Sequence, residues 1–334
     1  MGRQAGKTRA PTIRVETPAR IHFGLLSLRA DAPRRFGGVG LMVGAPGFAL
    51  GVEPLPGAAD CVFSGPAADR AEEFASRFRR SLTPEQARRL PAFRLSVARD
   101  VPQHAGLGAG TQLGMAVSAA LSRLAGLPPQ SPAELAGRVG RGLRSAVGLH
   151  GFAVGGLLTE GGKRRPQDVS PLISRLDFPP DWPVVLTIPP GLTGLSGRDE
   201  VAAFRDLPDF PEPAGDRLCA LVLLGLLPSA ADGDLPAFSE ALFELQQKVG
   251  EHFRPAQGGI YAHPLLEEIV AFLRAAGVAG VGQSSWGPTL YAVCGDDDHA
   301  RHTAGLLVRR FGPACGEPLI TRAANTGARI TAAE

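Results

Sequence analysis

The sequence predicts a mixed α+β protein of two domains, and three observations carry that expectation. Its 334 residues exceed what one hydrophobic core usually holds, about 250–300 residues. Three strand-like segments come before the first glycine-rich loop, so strand and helix do not alternate regularly. A proline-rich stretch at 166–183 then interrupts the chain, and a new series of elements starts near Asp181. The expected domains are 12–170 and 181–331.

Residues 1–11 read as a loose leader, with ordered structure expected from Ile13. Segments 12–17, 48–53 and 93–98 have the composition of strands. Between the second and third, Phe74, Phe78 and Leu82 mark an amphipathic helix. The glycine-rich segment 102–110 leads directly into another helix. Leu113, Ala116, Val117, Leu121 and Leu124 lie on one face of it, and Gly126 stops it. Ser131-Pro132-Ala133-Glu134 is a capping box with proline at the first helical position, and that helix is expected to carry Leu135, Val139 and Leu143. Segment 151–158 reads as a strand and 160–165 as a polar turn. In the second half, 183–188 reads as a buried strand and 216–227 as an apolar helix. A long helix over 235–253 aligns Leu235, Phe238, Leu242, Leu245, Val249 and Phe253 in one stripe. A helix over 264–276 stopped by Gly277, a strand over 289–294 and a helix over 300–311 follow. There is no repeat of 20–50 residues and no low-complexity tract.

Composition narrows the class of function. Hydrophobic residues make up 44% of the chain and charged residues 20%, which excludes a disordered protein. A net charge of +3 excludes a polycation built for nucleic acid. Of the 35 basic residues only Lys7, Lys163 and Lys248 are lysines, leaving 32 arginines. Arginine suits bidentate binding of carboxylate and phosphate, although a GC-rich genome would give the same bias. The longest apolar run, 218–227, is about half the roughly 20 residues a bilayer-spanning helix needs, so no membrane partner is expected. The basic N-terminus has no apolar stretch behind it and is not a signal peptide. Cys61, Cys219, Cys294 and Cys315 form no C-x-x-C pair, which points to reduced thiols in a cytoplasm. The seven histidines include no H-E-x-x-H, and no protein-built metal cage is expected.

Four segments have the chemistry of sites. Glycines 106, 108 and 110 allow backbone N–H groups to turn towards one point, where the following helix adds the positive end of its dipole. No lysine follows as in a Walker loop, yet a phosphate or diphosphate fits there. Arg141 and Arg144 are three apart at an expected helix end, where they either clamp an anion or favour the helix C-terminus. The loop 282–289, Gly-Gln-Ser-Ser-Trp-Gly-Pro-Thr, packs two hydroxyls, an amide and an indole before a strand. Asp296, Asp297 and Asp298 precede the last helix and are expected to cap it rather than bind metal.

These loops resemble those of the GHMP kinase superfamily, through the Pro-x-x-x-Gly-Leu-Gly segment at 102–108, Gly155-Gly156 and the glycine loop at 280–287. The closer resemblance, from Ile13 to Tyr291, is to the β-ribofuranosylaminobenzene 5′-phosphate synthase family. It rests on segments 19–25 (Ala-Arg-Ile-His-Phe-Gly-Leu), 35–40, 104–112, 140–145, Gln257-Gly258-Gly259 and 282–288. The family's phosphate loop usually has a serine where this chain has Ala109, so any hydroxyl-to-metal contact there falls to Thr111.

The resemblance implies a two-domain GHMP-kinase-like fold: an N-terminal mixed α/β domain with the phosphate loop and a C-terminal ferredoxin-like α+β domain. It implies an enzyme joining 5-phosphoribosyl diphosphate to 4-aminobenzoate or 4-hydroxybenzoate, with release of carbon dioxide and diphosphate, in methanopterin-type cofactor biosynthesis. Mg²⁺ is expected to arrive mainly with the diphosphate, and a homodimer is plausible for such a family. Through the resemblance Arg20, His22, Arg141, Arg144 and Ser145 are the expected catalytic residues. Expected phosphate and substrate contacts are His104, Gly106, Leu107, Gly108, Ala109, Gly110, Thr111, Gln112, Gln257, Gln283, Ser284, Ser285 and Trp286. The alternative is an ATP-dependent small-molecule kinase, disfavoured because 144–150 offers no carboxylate as base. A third reading is a protein that only binds a phosphorylated ligand, disfavoured by three polar loops.

Overall fold

The computed structural model describes residues 12–29, 31–195 and 197–333, so the expected leader at 1–11 lies outside the described residues. The chain opens with two long antiparallel strands, β1 (Thr12–Ser27) and β2 (Phe36–Pro54). Only the first third of β1 alternates between buried and exposed residues. From Thr17 nearly every residue is buried, because helices from both halves of the chain pack against it. A strand buried on both faces loses the period of two, which is why the sequence reveals only 12–17.

The rest of the first half is β3 (Val62–Ser64), α1 (Ala68–Arg80), α2 (Pro84–Arg89), β4 (Phe93–Arg99), α3 (Ala109–Leu124), α4 (Pro132–Arg138), α5 (Val147–Val154), β5 (Leu157–Glu160) and β6 (Leu172–Leu176). The second half holds β7 (Val184–Thr187), α6 (Gly197–Asp206), α7 (Glu212–Ala220), a π-helical turn (Leu221–Leu226), α8 (Leu227–Asp232), α9 (Leu235–Gln257), α10 (Pro264–Ala275), β8 (Gly280–Gln283), β9 (Leu290–Val293), α11 (Asp297–Phe311), β10 (Leu319–Thr321) and β11 (Arg329–Ala333). The first sheet runs β11-β1-β2-β4-β3, with β5 on β2 and β6 on β5. The second runs β10-β7-β9-β8 with antiparallel neighbours. Numbered within that half the order is 4-1-3-2, the ferredoxin-like arrangement. Because β11 returns to pair with β1, the ranges 12–170 and 181–331 do not follow sheet membership at the C-terminus.

Helix α9 joins the halves. Gly24 of β1 lies so close to it that a Cβ there would come within 2.7 Å of Val249 Cγ2. The main apolar core is continuous across this seam, from Ile21 and Phe23 to Leu245, Val249 and Phe253. The helical stretch 212–232 is long and apolar enough to cross a membrane by length and composition alone. In the fold its Leu218, Leu221, Val222 and Leu226 belong to the core, while Leu223 and Leu224 are exposed.

Four local expectations are corrected, all between residues 131 and 165. The helix from the Ser131 capping box stops at Arg138, and Leu143 is exposed. Gly140 and Gly142 have φ of 67° and 79°, backbone that a helix cannot contain. Arg141 and Arg144 therefore lie on a loop, not on one face of a helix. Segment 151–158 is also not a strand: α5 occupies its first half, the positive φ of Gly155 and Gly156 ends the helix, and β5 follows. Helix α5 has Val147, Leu149 and Phe152 buried at spacings that show no helical stripe in the sequence. Glu160 is 1% exposed, so no polar turn begins there.

Candidate active site

A cavity of about 900 Å³ opens where the glycine loop, β1, the 140–145 loop, α6, α9 and the 283–287 loop meet. The glycine loop is held at backbone distance by the late loop. A Cβ on Gly106 would strike the Ser284 carbonyl, and one on Gly287 would strike that of Ala105. Ser284 Oγ donates to the Gly106 carbonyl at 2.7 Å, and Thr289 Oγ1 donates to that of Ala105 at 2.6 Å. His104 and Ser285 hold φ of 57° and 56° without being glycine, so each loop carries backbone strain beside the cavity. Gly108 is the cap of α3 at φ 73° and has no side chain to satisfy the first N–H groups.

One end of the cavity is cationic. Arg20 projects from β1, donates from Nη1 to the Gly106 carbonyl at 3.2 Å, and keeps a buried Nε with no partner. Burial first, and the charges of Arg141 and Arg144, bring its pKa down to about 10, still charged at neutral pH. Arg141 donates to Thr111 Oγ1 at 3.1 Å, and its pKa is lowered to about 10 by burial and then by Arg70. Arg144 forms an ion pair with Glu200 of α6 at 2.6 Å. Burial raises the Glu200 carboxyl above its ordinary value, against the pull of Arg144.

The other end is aromatic. Trp286 packs against Phe253 with ring centroids 4.4 Å apart and against Phe204 of α6 at 5.3 Å. Phe36 meets the edge of Phe204 at 6.0 Å, and all four rings line the cavity. The Arg144 guanidinium lies 5.8 Å from the Phe204 ring, so α6 touches both ends at once.

His22 also lines the cavity. Its backbone N–H donates to Ser284 Oγ, and its Nε2 lies 3.0 Å from Ser145 Oγ. Burial, and then the charge of Arg20, hold its pKa well below the usual histidine value. The imidazole is therefore neutral at neutral pH. Beneath it, Glu160 accepts from the Ala146 N–H at 2.7 Å through Oε2, while Oε1 is buried without a partner.

The fold brings nearly all the expected residues to this cavity. Arg20, His22, His104, Gly106, Leu107, Gly108, Ala109, Gly110, Thr111, Arg141, Arg144, Ser145, Gln257, Gln283, Ser285 and Trp286 line it. Gln112 and Ser284 do not: Gln112 Nε2 binds the Gly148 carbonyl, and Ser284 joins the two glycine loops. Sequence reasoning missed Arg70, Glu200, Phe204 and Phe253 as lining residues. Phe253 was legible only as part of a core stripe. Glu200 also supplies the carboxylate that residues 144–150 lack, from a helix far along the chain. Among the described residues the acids lining the cavity are Glu73 and Glu200, each paired with an arginine. Among the described residues no three His, Cys, Asp or Glu side chains converge, so these donors do not fit a resident metal ion.

Comparison with known proteins agrees with this architecture. Residues 70–156 match the GHMP kinases N terminal domain, and residues 226–305 match the family described as GHMP kinases C terminal. The chain is 31% identical to a beta-ribofuranosylphenol 5′-phosphate synthase of Methanothermobacter thermautotrophicus, over 94% of this chain and 97% of that one. It is 32% identical to the protein of the same name from Archaeoglobus fulgidus, over 95% and 99%. Among solved structures, homoserine kinase of Cytophaga hutchinsonii superposes with a TM-score of 0.65 at 16% identity, covering 99% of this chain and 100% of that one. Mevalonate diphosphate decarboxylase of Staphylococcus aureus gives 0.67 at 13% identity, covering 96% and 98%. At these identities the two structures speak for the fold alone.

Proposed function

Because the chain belongs to the β-ribofuranosylphenol 5′-phosphate synthase family of the GHMP kinase superfamily, and is thereby a pentosyltransferase-type enzyme, we propose the following reaction for it. It condenses 5-phosphoribosyl diphosphate with a para-substituted benzoate, releasing carbon dioxide and diphosphate, in methanopterin-type cofactor biosynthesis. The observation that carries this reading is the two-ended cavity. Guanidinium groups and the α3 N-terminus suit the phosphates, and four aromatic rings suit a benzoate.

The bond from the anomeric carbon to the diphosphate oxygen breaks with its electron pair going to oxygen. Arg20, Arg141 and the N–H groups of the glycine loop stabilise the charge that grows there. The ring carbon bearing the carboxylate attacks the anomeric carbon, pushed by the para substituent. Carbon dioxide then leaves, and the electron pair of the broken bond restores the aromatic ring. No side-chain nucleophile is needed, so orientation and charge stabilisation carry the rate. Mg²⁺ enters as part of the diphosphate substrate. The relatives' name favours 4-hydroxybenzoate over 4-aminobenzoate as acceptor.

One observation favours a second reading, an ATP-dependent kinase: Glu200 places a carboxylate in the cavity. Its 2.6 Å ion pair with Arg144 makes it a poor free base. The test is an incubation of carboxyl-labelled 4-hydroxybenzoate, and separately 4-aminobenzoate, with 5-phosphoribosyl diphosphate and Mg²⁺, and capture of carbon dioxide. Release that requires both substrates is expected. ATP-dependent phosphorylation without release would favour the kinase.

A further inference from the structure

We propose that Arg70, on the first turn of α1, is a third guanidinium for the departing diphosphate, beside Arg20 and facing Arg141 across the N-terminus of α3. This rests on the reaction proposed above and adds a residue from an element that none of the sequence motifs includes.

Arg70 stands where a cation is unfavourable. It sits in the first turn of α1, at the positive end of that helix dipole, whereas Arg77, Arg79 and Arg80 sit at the favourable end. Its direction explains the position. A Cβ on Gly110, in the first turn of α3, would lie 2.7 Å from Arg70 Nη2 and 3.2 Å from Arg141 Nη2. Two guanidinium groups thus converge on one helix N-terminus that has no capping side chain.

Among the described residues neither has an ion-pair partner, and Arg141 feels only the more distant charge of Glu200, which is itself paired with Arg144. Arg70 Nε and Arg141 Nε are both buried without a hydrogen-bond partner. Two turns along α1, Arg77 shows the usual solution, with Glu73 as ion pair and the Val139 carbonyl as acceptor. Across the cavity Arg144 has Glu200. Arg70 and Arg141 therefore repel each other in a half-buried place, and each also faces a helix N-terminus. A polyanion removes that repulsion, and the most highly charged part of the proposed substrate is its diphosphate. When the bond to the anomeric carbon breaks, both electrons pass to the diphosphate oxygen, and negative charge increases at this pair. The Phe74 ring, 6.0 Å from the Arg70 guanidinium and close against Gly114, fixes the approach of the side chain.

The experiment measures binding of two probes separately by calorimetry: inorganic diphosphate and ribose 5-phosphate. Arg70→Gln is expected to weaken diphosphate binding ten- to a hundredfold and to leave ribose 5-phosphate within about twofold of wild type. Arg70→Lys should recover part of the loss, since it restores charge without the planar fork. Diphosphate affinity within twofold of wild type in Arg70→Gln would overturn the proposal. An equal loss for both probes would also overturn it, because it would mean a general effect on the cavity. Should Arg70→Gln fold poorly, Arg70→Lys carries the same comparison, with a smaller loss confined to diphosphate expected. These are binding measurements, so their outcome is independent of whether carbon dioxide is released from an aromatic acid.

Discussion

Gly108 combines two demands that separate experimentally. Its φ of 73° means that alanine there costs about 1–2 kcal/mol of backbone strain. The new Cβ would also press on Arg20, 3.3 Å from Cβ and 3.4 Å from Nε, and so disturb the anion site. Gly108→Ala should lower the melting temperature by several degrees and remove the stabilisation by diphosphate that is expected of wild type. Equal diphosphate-induced shifts in both proteins would remove Gly108 from the phosphate cradle. His22 allows a test by pH. Its folded pKa lies below the unfolded value of about 6.5, so the unfolded chain takes up a proton first as pH falls. The stability due to neutral His22 is complete above that pH and is lost below it, at up to about 1.4 kcal/mol per pH unit. Denaturant titrations between neutral pH and pH 5 should show a shallower decline for His22→Gln than for wild type. Parallel curves would mean that His22 is charged or exposed in the folded protein. Arg144→Ala leaves Glu200 without its partner, and the KM for 5-phosphoribosyl diphosphate should rise roughly ten- to a hundredfold. Arg144→Lys should restore only part of this in steady-state kinetics.

At the scale of elements, what the sequence disclosed depended on periodicity and end signals. The capping box at Ser131, the long stripe of α9 and the glycine entry to α3 lay in the sequence because each is a local pattern. Asp296 caps α11 by accepting from the His299 N–H at 2.7 Å, as its place before the helix implied. Elements buried on all sides were opaque: the later part of β1 and the whole of α5 have no polar face to set a period. The site divided in the same way. Residues in glycine loops were legible, while Arg70, Glu200 and Phe204 come from helices whose local sequence looks like ordinary surface. Helix α6 has the clearest consequence, since Phe204 packs against Trp286, Phe253 and Phe36 at once. Phe204→Ala should raise the KM for the aromatic acid by about tenfold through lost ring contact, with ribose 5-phosphate binding unchanged. Initial rates at varied acid concentration and a calorimetric titration with ribose 5-phosphate check both halves. A loss confined to the phosphate substrate would place the ring elsewhere.

The whole molecule places the glycine-rich loop of a GHMP kinases N terminal domain in the same cavity as an aromatic wall supplied largely by the other half of the chain. Helix α9 seats on β1 through Gly24 and brings Phe253 towards the cavity, so neither half makes the site alone. The central claim is that this cavity joins the two substrates through carbon, at the position the carboxylate vacates. Carbon-13 at the carboxyl-bearing ring carbon of the aromatic acid and at the anomeric carbon of 5-phosphoribosyl diphosphate tests it directly. A one-bond carbon–carbon coupling between the two labels is expected in the nuclear magnetic resonance spectrum of the product. A product whose ring label still carries its carboxylate, with ribose joined through oxygen or nitrogen, would contradict it.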